Sequence, residues 1–299
     1  MVIYIKELDK NDKLKSIEKY PKVIRKFIMI FVEITNSFFI EYIDEENKKY
    51  IIPNINEKKV YCKIRKKISK EQKKTKRKVE IVLSEKMHEL LKNFEGLRII
   101  NGRKIYLDYI EDIIENVLGE NPMELQDVYI LANSYNYTNV NIINRLSGKV
   151  KSVNIVTNDI KNYSILENML YEKGIIITIS NNKKKSLKKA KLIINLDFDG
   201  DILRRYNIFS NACIINMKET VIKNLQCFEG MIVNNIDIKL PKEQSKFLKV
   251  SNLISNFRSV ELFESLKLNE KNIDIISLYG NNGIISEKER LNVQKILTN

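Results

Sequence analysis

Beyond about residue 125, short apolar runs alternate with segments of helical spacing. Val128–Ala132, Val153–Thr157, Ile175–Ile179, Leu192–Leu196 and Ala212–Asn216 read as strands, and Ile232–Asn234 as a sixth. Between them, Thr138–Ser147 carries Val140, Ile143 and Leu146 on one helical face and stops at Gly148. Ile160–Lys173 places Ile165, Leu166, Met169 and Leu170 inward and ends at Gly174. Leu187–Lys191 reads as a basic helical turn and Gly200–Tyr206 as a helix. Strands alternating with short helices mean βαβ units and a parallel sheet, because parallel neighbours need a crossover. Right-handed crossovers then favour a doubly wound α/β sheet of order 3-2-1-4-5.

Residues 1–120 are mixed, and an N-terminal α+β domain is expected there. Val2–Ile5, Phe27–Ile34, Phe38–Ile43, Tyr50–Ile52 and Val79–Leu83 read as strands, with a helix as the alternative for Phe27–Ile34 and Phe38–Ile43. Ser84 can cap a helix running to Phe94. Asn101-Gly102 is a turn signal between Leu97–Ile100 and Arg103–Leu107. Asp108 and Glu111 fit a capping box for a helix ending near Gly119, and Pro122 breaks the chain. The expected divisions are therefore 1–120, 121–240 and 241–299. The last has helical spacing at Leu253, Phe257, Val260, Phe263 and Leu266, and a capping box at Ser286 and Glu289.

Charge adds two local features. The 299 residues carry a net +14. Lys58–Lys78 holds twelve basic residues and one acid, Glu71, while Lys183–Lys191 holds six lysines and no acid. The rest of the chain is close to neutral. Val60, Ile64 and Ile68 share one face, so the first run can form a charged helix with a narrow apolar stripe, or a solvated linker. As a polybasic segment it is a candidate nucleic-acid contact, with Tyr61 for stacking, or a contact for anionic lipid.

Other classes are disfavoured. Phe27–Ile43 is the most apolar stretch, but Glu33, Asn36 and Glu41 interrupt it, so no transmembrane segment is expected. Cys62, Cys213 and Cys227 have no metal-binding spacing, and His88 is the sole histidine. Cys213 reads as a buried thiol and His88 as a packed or solvent-facing side chain. Met1–Lys10 alternates apolar and charged residues instead of forming a secretory leader, so a reducing cytoplasm is expected. No P-loop, no GxSxG elbow and no Tyr-x-x-x-Lys occurs.

In an open α/β sheet, ligands bind beyond the carboxyl ends of the strands. Asn133, Ser134, Asn136 and Thr138 follow the first strand of the alternating part, and Asn158 and Asp159 follow the second. These six are the candidate cofactor-binding residues, as amide and hydroxyl donors to an anion or as an acid for a ribose hydroxyl. Asp159 can equally cap its helix. The first loop lacks glycine, and Tyr135 and Tyr137 would crowd a diphosphate there. Asn181–Lys185 offers cations to a phosphate, or is a solvated run. Asp197, Asp199 and Asp201 could bind a divalent cation or cap a helix.

The strings "VNIVTND", "IIITIS", "AKLIINLDFDGDIL" and "NACIINMKE" give residues 125–235 a resemblance to the Rossmann domains of the shikimate dehydrogenase and glutamyl-tRNA reductase type. The resemblance implies a dinucleotide-binding fold and NAD or NADP as cofactor; no catalytic residue of those families has a counterpart here. The leading expectation is a Rossmann-like protein without the glycine loop, acting as a ligand-binding or interaction module for a small molecule, a nucleotide or a protein. The alternatives are an active NAD(P)-dependent oxidoreductase with an atypical phosphate loop, and a nucleic-acid-binding protein using Lys58–Lys78.

Overall fold

Strict alternation in Val2–Glu7 sends Ile3 and Ile5 to one side of a sheet and Val2 and Tyr4 to the other, and both sides are buried. In a computed structural model, residues 1–9, 14–55, 58–172, 174–218, 220, 222, 225, 227–242, 244, 248, 253–268 and 270–298 are described. They fall into two units: residues 1–102 with 240–269, and residues 103–239 with 270–299.

The first unit is built on five strands: β1 (Val2–Glu7), β2 (Phe39–Tyr42), β3 (Lys48–Ile52), β4 (Glu80–Leu83) and β5 (Arg98–Ile100), in the order β2-β3-β1-β4-β5. β2 runs antiparallel to β3, while the other pairs are parallel. One face packs Ile3, Ile5, Tyr50, Ile52, Ile81 and Leu83 against Val60, Tyr61, Ile64 and Ile68 of the helix Lys58–Thr75. The basic run is thus a docked helix and not a linker, because its apolar stripe completes that core. On the opposite face, Val2, Tyr4, Val82 and Ile100 meet Leu248, Leu253, Phe257 and Leu262, supplied from more than 140 positions downstream. Nearer β2, Phe39 and Ile51 pack on Val32 and Ile17.

Phe27–Ile34, expected as a strand, belongs to the helix Lys22–Ile34. Its apolar residues permit either structure, but Val32, Ile28 and Met29 meet the core at helical spacing. Beyond the Asn101-Gly102 turn, Arg103–Asp108 is a helix; Gly102 takes φ +74° and lies against Val260. The helix Ile110–Leu118 starts from Tyr109 without the expected capping box, since Glu111 binds Arg145 instead, and it ends at Gly119 as expected.

The second unit contains β6 (Asp127–Leu131), β7 (Ser152–Val156), β8 (Ile177–Ser180), β9 (Leu192–Asn195), β10 (Cys213–Asn216) and β11 (Met231–Val233). They form a six-stranded sheet, β11-β10-β9-β6-β7-β8, parallel throughout. Numbered within the unit, the order is 3-2-1-4-5-6, with the winding reversing between β6 and β9. Helices Tyr137–Ser147 and Ile160–Tyr171 make the β6–β7 and β7–β8 crossovers. In the latter, Tyr163, Leu166 and Leu170 are buried, whereas Ile165 and Met169, expected inward, are exposed; Lys173, its expected end, lies outside the described residues. Residues 183–189 form turns rather than a helix. β12 (Asn235–Ile238), β13 (Ile275–Gly280) and β14 (Gly283–Ile284) make a small antiparallel sheet, of which β13 and β14 lie in the expected helical tail. The helix Glu287–Thr298 carries the expected capping box: Glu289 accepts from the Ser286 amide at 2.7 Å. Among the described residues, no helix is long and apolar enough to cross a membrane.

Candidate functional site

The loops after β6, β7 and β9 meet where the winding of the parallel sheet reverses. β6 runs apolar to Ala132 and then releases Asn133 and Ser134 at the sheet's carboxyl edge. Their backbone amides both donate to the Asp197 carboxylate, Asn133 to Oδ1 and Ser134 to Oδ2, each at 2.7 Å. The Asn139 side chain adds a third donor to Asp197 at 3.2 Å and binds the Ser134 carbonyl at 2.8 Å. One negative charge of the chain therefore sits in a small cradle of donors, the type of arrangement that elsewhere receives an external anion.

The sequence-predicted residues separate into two sets here. Asn133, Ser134 and Asn158 come together: Asn133 Oδ1 accepts from the Asn158 amide at 2.9 Å, linking the first loop to the second. Asn136 caps the helix Tyr137–Ser147, with Oδ1 accepting from the Asn139 amide at 2.9 Å. Thr138 is exposed on the first turn of that helix. Asp159 stands at the N-cap position of the helix Ile160–Tyr171, yet its side chain binds the Asn162 amide group at 2.7 Å and no backbone amide of that helix.

The two tyrosines do not fill the cradle. Tyr137 is 86% exposed, and Tyr135 leans edge-on against Tyr163 with ring centres 5.2 Å apart. Tyr163, fully buried, donates its hydroxyl to the Ser134 carbonyl at 2.9 Å, and burial pushes that hydroxyl's pKa up. Asp197 and Asn139 occupy the loop's polar groups instead. Sequence reading put Asp197 in an acidic cluster; its pairing across two strands has no local signal. Asn139 reads as an ordinary helix residue.

The three aspartates diverge. Asp199 binds the Lys218 ammonium at 2.5 Å, and Asp201 pairs with Arg204 at 3.0 Å. Among the described residues no group of three or more His, Cys, Asp or Glu side chains is arranged to hold a metal. Lys218 also donates to the Asp197 carbonyl at 3.3 Å, tying the β9 and β10 loops together.

An asparagine ladder, buried at Asn195 and Asn216, closes the adjoining edge. Asn195 Nδ2 donates to Asn216 Oδ1, and Asn216 Nδ2 to Asn234 Oδ1, both at 2.9 Å. Asn234 continues to Asn281 at 2.7 Å. Asn195, Asn216 and Asn234 also serve loop backbone, as in the 2.9 Å bond from the Phe198 amide to Asn195 Oδ1. These paired amides hold the ends of β9, β10 and β11 in register.

None of the other candidate groups joins this site. Cys213 is wholly buried in β10, and burial raises its thiol to about 12, which keeps it protonated. His88 lies in the first unit, 2.9 Å from the buried Glu261 carboxylate. Tyr61, the expected stacking residue, is buried: its hydroxyl donates to the Ile55 carbonyl at 2.5 Å and its ring meets Phe94 edge-on. Stacking on a base is closed to it because both its ring and its hydroxyl serve the core. No protein-family model and no curated protein matches the chain.

Proposed function

We propose that residues 103–239 with 270–299 form a Rossmann-like domain of the shikimate dehydrogenase and glutamyl-tRNA reductase type, working as a ligand-binding or interaction module and not as an NAD(P)-dependent oxidoreductase. The observation that carries this reading is the Asp197 carboxylate held by the Asn133 and Ser134 amides. In a dinucleotide site the backbone after the first strand receives the pyrophosphate. Here a diphosphate would meet a fixed negative charge on the donors it needs. Two like charges about 4 Å apart repel by about 4 kcal/mol at an effective dielectric of 20. That is roughly a thousandfold in affinity. The strand order and the reversal of winding between β6 and β9 support the fold assignment.

Calorimetry tests the reading. The native chain is expected to give no saturable heat with NAD+, NADH, NADP+ or NADPH up to about 1 mM, the weak limit set by that repulsion. Asp197→Ala, which frees the two amides and removes the charge, is expected to bind inorganic pyrophosphate more tightly than the native chain. Micromolar binding of any of the four dinucleotides by the native chain would overturn the proposal.

A further inference from the structure

The helix Lys22–Ile34 has one face against the first sheet and a second, more apolar face in solvent. At 100° per residue, Val23, Ile24, Phe27, Ile30, Phe31 and Ile34 fall within an arc of about 120°. Their exposures are 66%, 45%, 68%, 51%, 66% and 74%. Single exposed apolar residues are ordinary on a protein surface; six contiguous large ones mark an interaction face.

Charge identifies what covers it. Lys22 and Lys26, both exposed, line one edge of the arc, with the exposed Glu33 between them. At the helix's far end the Lys63 ammonium donates to the carbonyl of Thr35, the residue after Ile34. Lys63 belongs to the helix Lys58–Thr75, which packs on the other face of the sheet and meets the end of this helix through Lys63. The unit holding both helices has 30 basic and 18 acidic residues, so it carries +12 of the chain's +14.

We propose that this face docks on an anionic lipid surface, with the helix Lys22–Ile34 lying in the headgroup plane. Its apolar residues enter the acyl boundary while the flanking lysines meet lipid phosphates and carboxylates. A second copy of the chain fits less well, because pairing this face with itself brings two +12 units and their lysine edges together. A polynucleotide accounts for the charge but not for the face, since four of its six residues are aliphatic Val or Ile and offer a base no ring to stack on.

The test is co-sedimentation of the full chain with phosphatidylcholine vesicles, with and without about 30% phosphatidylserine, at about 0.1 M salt, where surface charge still acts over roughly 10 Å. Binding is expected only with phosphatidylserine. Phe27→Ser with Phe31→Ser is expected to weaken it at least about tenfold, as loss of two inserted rings requires. The chain has no tryptophan, so Phe27→Trp supplies a single reporter whose emission shifts to the blue on anionic vesicles. That readout serves even where the double variant fails to fold. Four outcomes overturn the proposal: equal sedimentation with both vesicle types, undiminished binding by a folded double variant, an unshifted reporter, or a native dimer that the double variant converts to monomer. Duplex DNA or RNA binding that the double variant loses would also assign the face elsewhere.

Discussion

At the scale of single residues, the chain places its charges where other side chains already hold them. Glu71, the one acid in the basic run, lies 2.7 Å from the Lys48 ammonium, and that bond holds its carboxyl below the ordinary value of 4.5. The unfolded chain then binds the proton more readily than the native one, so this contribution is complete above about pH 4.5 and disappears as pH falls through the lowered native value. Glu71→Gln is expected to cost about 2 kcal/mol at neutral pH by leaving Lys48 with a weaker partner. It should also flatten the acid limb of the melting temperature, followed by circular dichroism from pH 6 downward. An acid limb as steep in the variant as in the native chain would show that the pair does not govern it. Single-residue chemistry was legible where it is local. Cys213 inside an apolar run reads as a buried thiol, and Ser286 with Glu289 as a capping box. Asp197 was not legible as the acceptor of Asn133 and Ser134, because its partners lie more than 60 positions away and only the sheet brings them together.

At the scale of elements, the parallel sheet was the most legible part. Buried on both faces, its strands are nearly continuous apolar runs bounded by helical spacing. Phe27–Ile34 read first as a strand, with a helix as the alternative, because seven of its eight residues are apolar and so short a run fits either period. β13 was missed because it is largely part-exposed in a tail of helical spacing, and β14 because it is two residues long. One position joins sequence and element closely. A Cβ on Gly230 would stand 2.0 Å from the Ala212 carbonyl oxygen and 2.8 Å from its amide nitrogen, just where β11 begins to pair with β10. Gly230→Ala is expected to destabilise the second unit by about 3 kcal/mol or more, since backbone must move to admit the methyl group. Thermal unfolding checks this, and an unchanged melting temperature would mean that the approach of the two strands is looser than described.

At the scale of the whole molecule, the basic charge belongs to one unit, and the chain passes between units three times, at 102–103, 239–240 and 269–270. Pro241 and the change to helical spacing mark a boundary near 240, but nothing in the sequence says that 240–269 returns to the first sheet, so that connection was not readable. It has an energetic signature, because Val2, Tyr4, Val82 and Ile100 bury against Leu248, Leu253, Phe257 and Leu262. A fragment of residues 1–102 is expected to lack a cooperative thermal transition and to bind a hydrophobic dye, while the same fragment joined by a flexible linker to 240–269 should melt cooperatively. A cooperative transition in the shorter fragment would show that the downstream segment is dispensable. The interleaving also bears on vectorial synthesis. Some 140 residues separate the end of the first sheet from the segment that covers it. At about 5–20 residues per second, a nascent chain spends on the order of ten seconds with that sheet face bare outside the ribosome. A holdase waiting at the exit tunnel would find its binding site there, on Val2, Tyr4, Val82 and Ile100.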